Sequence, residues 1–163
     1  MSIARDLAIA AATAVVWSAS ARRPEEAVLG VVAGVLLALC GFLLHEWGHL
    51  LASLFCGSVV HFPDRVLAPL LFHFDTLKND RRQHLLMSAG GYAASVLGTA
   101  AIAALSSWST WSGRTAISLS VLGAVATVVL EMPTTVRVLR GGPLPEGYAY
   151  RPPGSAAGAD ERG

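Results

Sequence analysis

Five consecutive residues, His45-Glu46-Trp47-Gly48-His49, concentrate the reactive side chains of this 163-residue chain. On a helix, side chains at i and i+4 project from one face a single turn apart. Two imidazoles at that spacing can bind one metal ion from the same side. The glutamate beside the first histidine stands at the metal edge, where it can take a proton from a water the ion holds. Zinc suits such a set, since it accepts two nitrogen donors and a third protein ligand and keeps a fourth position for water. The metal brings the pKa of that water to about 7, and the glutamate then delivers the proton to a leaving amine. The pattern describes a hydrolytic centre.

The surroundings of these residues carry almost no charge. The chain is 53% hydrophobic and 14% charged, with a mean hydropathy of +0.54, against roughly 25% charge in an average soluble domain. Charge-free stretches run from Leu7 to Ala21, Ala27 to Leu44, Leu85 to Gly113 and Thr115 to Leu130. A soluble fold of this size has too little interior to hide four such blocks. A net charge of +1 leaves no basic excess to neutralise phosphates. Soluble enzyme, disordered protein and nucleic-acid binder are thereby excluded. The sequence predicts an integral membrane protein, in which ionisable residues within a span mark function by default.

A spanning helix needs about 20 apolar residues, within a range of roughly 17–25. Ala27–Leu44 meets this, with the apolar pattern resuming from Leu50 to Val60. Leu85–Trp111 spans with tilt or with a bend at Gly90-Gly91, and Thr115–Leu130 spans when Met132 extends it. Leu7–Ala21 fits either an uncleaved first span or a signal peptide ending at Ala19-Ser20-Ala21. The expected fold is therefore all-α, with about four transmembrane helices. Residues 1–26 form the N-terminal span or signal peptide, 27–142 the core, and 143–163 a disordered Pro/Gly-rich tail. With both ends inside, Arg5, Arg65, Lys78, Arg81, Arg82, Arg137, Arg140, Arg151 and Arg162 are cytoplasmic, and only Arg22, Arg23 and Arg114 face out. That orientation brings His45 and His49 towards the cytoplasmic side. Cys40 and Cys56 lie in apolar context and read as small buried hydrophobes.

The stretch Gly41–Ala52, followed by Cys56-Gly57, resembles the first core helix of the site-2 protease family of intramembrane zinc metalloproteases, whose motif reads H-E-x-G-H. Ser88-Ala89-Gly90-Gly91-Tyr92-Ala93-Ala94 is similar to the small-residue start of that family's second core helix, where small residues allow close helix approach beside the active site. The resemblance runs from about Ala27 to Gly142. It implies a three-helix protease core, a Zn2+ cofactor and a membrane protein as substrate, cut within or beside the bilayer.

In the third core helix of that family, a proline-containing stretch precedes an Asp-Gly whose aspartate is the third zinc ligand. Here Leu139-Arg140-Gly141-Gly142 follows Pro133, and Arg140 stands where the aspartate is expected. An arginine has no lone pair for a metal. Three residues can substitute. Glu131, before Pro133 at the end of an apolar run, is the preferred third ligand, since two His plus Glu is a zinc hydrolase set. Asp75, in the loop after Phe72-His73-Phe74, is the second choice, and its competing role is a loop carboxylate near Lys78 and Arg81. His84, at the start of the third span, reads as an interfacial histidine.

Val66–Phe74 is apolar, contains Pro69 and is too short to span, which predicts a re-entrant or interfacial segment. Together these features predict a zinc endopeptidase of the cell membrane, with His45 and His49 as ligands and Glu46 as the proton acceptor. An inactive relative serving as a membrane-protein scaffold competes with it, supported by the missing Asp-Gly. An oxidative di-iron enzyme needs more histidines than the five present. Nothing in the residues sets the oligomeric state.

Overall fold

The computed structural model describes residues 2–63 and 71–145. Arg65, Pro69 and the tail beyond Pro145 lie outside the described residues, and with them most of the expected re-entrant segment. The chain folds as α1 (Ser2–Arg22), α2 (Ala27–Phe55), β1 (Val60–His61), β2 (His73–Phe74), α3 (Arg81–Leu105) and α4 (Trp111–Leu139). All four helices are long and apolar enough to cross a membrane. Large apolar side chains such as Leu7, Val28, Phe55, Leu97 and Leu130 stand exposed on the perimeter, whereas Ala33 and Ala116 are fully buried inside. Water does not favour that distribution. Lipid does, because helices there associate through small residues that let backbones approach closely.

Central helix α2 packs against each of the other three. At its N-terminal half Gly30 and Gly34 meet the first turns of α4; a Cβ on Gly34 would sit 2.7 Å from the Ser112 carbonyl oxygen. Lower down, Gly48 faces Gly90 of α3, where a Cβ on Gly48 would sit 2.6 Å from the Gly90 carbonyl oxygen. The Gly90-Gly91 pair therefore serves the close approach expected of small residues there and not a bend, and α3 runs through it as one helix. On the other flank, α1 is tied to the motif helix by Asp6, which accepts from the Trp47 indole at 3.0 Å and pairs with Arg5 at 2.8 Å.

Helix ends follow local chemistry. Gly57, at φ +70°, closes α2, with its N–H on the Leu54 carbonyl and the Ser58 N–H on Ser53. Asp80 and Gln83 form a reciprocal capping box that starts α3. Helix α3 stops at Leu105 rather than near Trp111, because a Ser/Thr-rich turn intervenes and the Thr110 hydroxyl accepts from the Gly113 N–H to start α4. Helix α4 does not end at Glu131; it continues through Pro133 to Leu139. Proline removes one backbone donor, a loss that membrane helices tolerate when side chains and neighbours satisfy the freed groups.

Between α2 and α3 the described residues form a two-stranded antiparallel ladder, with Val60 opposite Phe74 and His61 opposite His73. Leu71, Phe72 and Phe74 from this loop join Leu50 and Met87 in a buried cluster beneath the motif. The Asn79 side chain clamps both backbone groups of Val59 at 2.7 Å.

A Gly48→Leu substitution should force α2 and α3 apart, at a cost on the order of 1–3 kcal/mol or more. Nothing lies within 4 Å of a Cβ placed at Gly123, so Gly123→Leu should be close to neutral. Thermal unfolding of both variants in detergent micelles measures the difference.

Candidate metal centre

Histidines 45 and 49 lie one turn apart on α2 and project towards α4, where Glu131 meets them. The Nε2 atoms of the two histidines are 3.0 Å apart. Glu131 places Oε1 3.2 Å from Nε2 of His45 and Oε2 3.4 Å from Nε2 of His49. Donors bound to one tetrahedral zinc at 2.0–2.2 Å are separated by about 3.3 Å. The three distances are of that order, with one Glu131 oxygen towards each histidine, and the group could hold a metal ion.

The outer face of each ring fixes its chemistry. Nδ1 of His49 lies 2.9 Å from the Met87 carbonyl oxygen, and Nδ1 of His45 lies 3.0 Å from that of Gly91, with the Ser95 hydroxyl at 2.9 Å. A carbonyl only accepts, so each Nδ1 carries the hydrogen, and in a neutral ring Nε2 is left as a lone pair. Carbonyl-anchored rings of this kind are the usual support of metal-binding histidines. Without a cation, two lone pairs and a carboxylate would face one another at 3.0–3.4 Å. Gly91 serves the site twice, through its carbonyl and through its missing side chain, since a Cβ there would run into the His49 ring.

Glu131 is also steadied. The Thr135 hydroxyl donates to the Glu131 carbonyl at 3.3 Å and lies 2.7 Å from the Tyr92 hydroxyl, which links α4 to α3. A cavity of about 140 Å³ opens beside the triangle, lined by Glu46, His49 and Glu131 on its polar side and by Phe72, Phe74 and Met87 on its apolar side. Glu46 therefore shares a cavity with the donors without being one of them.

The other sequence candidates lie elsewhere. Asp75 is buried in the loop, where it accepts from the His61 ring at 3.0 Å and from the Leu77 N–H at 3.1 Å, with Lys78 at 3.7 Å. It ties the β1–β2 loop together and is not part of the donor triangle. The hydrogen bond from His61, helped by the Leu77 N–H and the Lys78 charge, outweighs burial and holds its carboxyl below the usual range. Arg140 is the exposed C-cap of α4, about 14 Å beyond Glu131 at 1.5 Å per residue. Gly141, at φ +100°, and Gly142 return N–H groups to Val138 and Arg137, so this segment closes a helix and supplies no ligand. His84 lines the cavity but stands outside the triangle. Sequence reasoning missed Ser95 and the two carbonyl anchors, because backbone acceptors carry no residue signature. Cys40 and Cys56 are free thiols.

The chain matches no protein-family model, no curated protein and no solved structure.

Two measurements follow from these positions. Metal analysis of purified protein should show near-stoichiometric loss in Glu131→Ala and no loss in Asp75→Asn; a metal-free Asp75→Asn and a loaded Glu131→Ala would reverse the ligand assignment. Because the carboxyl pKa of Asp75 is depressed on folding, its stabilisation is complete above the unfolded value of 3.8 and disappears as pH falls through the lower folded value. Asp75→Asn should therefore be less stable than wild type at neutral pH, and the gap should close in acid when unfolding midpoints are compared.

Proposed function

We propose that this chain is an intramembrane zinc metallopeptidase that cleaves a membrane-embedded or membrane-proximal protein segment. One observation carries the reading: two Nε2 lone pairs and a carboxylate converge at tetrahedral-edge distances inside an apolar bundle, with both rings anchored through Nδ1. Two His and one Glu form a hydrolytic zinc set with a position left for water. The resemblance of Gly41–Ala52 to the first core helix of site-2 proteases supports the same chemistry, with Glu131 in place of the missing Asp-Gly aspartate.

His45, His49 and Glu131 would hold the ion. When bound, zinc supplies Lewis acidity to the scissile carbonyl and to a water molecule. Glu46 accepts the proton of the attacking water and delivers it to the leaving amine nitrogen. Phe72, Phe74 and Met87 limit bulk water at the cavity wall, so that the charges of Glu46 and Glu131 act at low dielectric. Asp6 holds Trp47, and with it the register of the motif helix against α1, which favours α1 as a retained span.

Under the positive-inside reading the catalytic groups lie towards the cytoplasmic side of the cell membrane. Thr110 and Trp111 then lie at the outer surface, and the His61–Asp75 loop at the inner one.

In Glu46→Gln, zinc should remain and cleavage should fall by about 10²–10⁴-fold. Comparing membrane-protein fragments in cells that express wild type or the variant reads this directly. Fragments unchanged in Glu46→Gln would sink the mechanism. Protein purified without zinc, together with a harmless His45→Ala, would favour a membrane-protein scaffold instead.

A further inference from the structure

His84 is the one histidine of the site region without a hydrogen bond. Its side chain is 3% exposed, and both ring nitrogens are sealed from water with no partner among the described residues. Such a group is costly to bury, and it persists in a native structure for a reason. The ring packs edge-on to Phe74, with centroids 5.8 Å apart, and forms part of the wall of the 140 Å³ cavity that Glu46, His49 and Glu131 also line. Its backbone is firmly held one turn into α3, just beyond the Asp80–Gln83 capping box. Glutamates 46 and 131 and the hydroxyls of Ser88, Thr134 and Thr135 line the same cavity, yet His84 bonds to none of them. Among the described residues nothing partners the ring, which leaves its nitrogens for whatever occupies the cavity. At a share of about 30 Å³ per water, the space takes some four or five waters, or one peptide group with a small side chain.

We propose that His84 is a catalytic residue whose ring N–H donates to the carbonyl oxygen of the scissile peptide. The donation requires a turn of the ring about χ2, a broad and soft torsion, to bring one nitrogen to the cavity. Resting on the zinc-peptidase reading, this adds a specific donor to it. As the water oxygen bonds to the carbonyl carbon, the π pair moves onto the carbonyl oxygen and Glu46 takes the water proton. When the C–N bond breaks, the pair returns to re-form the carbonyl and Glu46 gives the proton to the nitrogen. His84 keeps its own proton throughout and stabilises the charged oxygen. Its substrate is a peptide bond whose flanking residue is small, because Phe72, Phe74 and Met87 leave little room.

The test uses the full-length zinc-loaded protein in lipid nanodiscs and two probes. A phosphinic dipeptide carries a charged oxygen where the carbonyl oxygen would be, and acetohydroxamate only chelates the metal. His84→Phe should bind the phosphinic dipeptide on the order of tenfold or more weakly, leave acetohydroxamate affinity and zinc content unchanged, and lower kcat more than it raises KM. His84→Gln, which restores an N–H donor, should recover part of the phosphinate affinity and guards against a packing defect in the phenylalanine variant. Unchanged phosphinate affinity in zinc-replete His84→Phe, while Glu46→Gln still abolishes cleavage, overturns the role of His84 and leaves the peptidase reading intact. Wild type that takes up no zinc and binds neither probe overturns both.

Discussion

Three electron-pair donors pointed at one another within an apolar bundle form the constraint on which the rest depends. Nε2 of His45, Nε2 of His49 and the Glu131 carboxylate lie 3.0–3.4 Å apart with no protein cation among them. A surface arrangement of this kind would relax by rotating a side chain into water. Here rotation is opposed, because each imidazole is pinned through Nδ1 to a carbonyl of α3 and Glu131 is carried on α4. With both rings neutral, folding would build repulsion into the site and a bound cation would relieve it, so that metal affinity would depend on the positions of three helices.

Those positions are set by what the helices lack. Carbonyls 87 and 91 can reach the histidines only if α2 and α3 cross at backbone contact, and Gly48 against Gly90 allows it. Gly30 and Gly34 perform the same task for α2 against α4 at the far end. Helices long and apolar enough to span a membrane would feel no hydrophobic force drawing them together there, since lipid tails are as apolar as leucine. Close packing and interhelical hydrogen bonds do that work. The polar links Trp47–Asp6, Tyr92–Thr135 and His45–Ser95 latch α1 to α2, α3 to α4 and α2 to α3.

What could be read from the residues was governed by contrast. Charge is scarce in this chain, so His45, Glu46, His49 and Glu131 stood out, and the existence of four long helices followed from the apolar blocks. Boundaries were harder. Hydropathy runs on through Ser106–Thr110, and only the Thr110 cap, a local hydrogen bond, divides α3 from α4. Pro133 suggested a helix end, whereas the bundle accommodates it within α4. The Gly30–Gly34 spacing was present as a small-residue pattern and passed unused, whereas Gly90-Gly91 admitted both a bend and the close approach that the structure uses. Context alone ranked Glu131, at the end of an apolar run, above Asp75, in a loop near Lys78 and Arg81. The third dimension supports that ranking by placing His61 beside Asp75 and two histidines beside Glu131.

In the proposed peptidase, Glu131 in place of an Asp-Gly aspartate would change the architecture more than the chemistry. In this chain the corresponding Arg140-Gly141-Gly142 segment is spent on closing α4, two to three turns beyond the donors. A carboxylate placed at that closure could not reach rings anchored to residues 87 and 91 of α3. Moving it up α4 to residue 131 sets it level with them, and the longer glutamate side chain gives it two oxygens at similar distances from the two histidines. The donor count and charge would be unchanged: two neutral imidazoles and one carboxylate around a divalent ion would leave a net +1 to act on water and carbonyl alike. The absent motif therefore argues against the site only if ligands are identified by their place in the sequence rather than by the lone pairs they bring to one point.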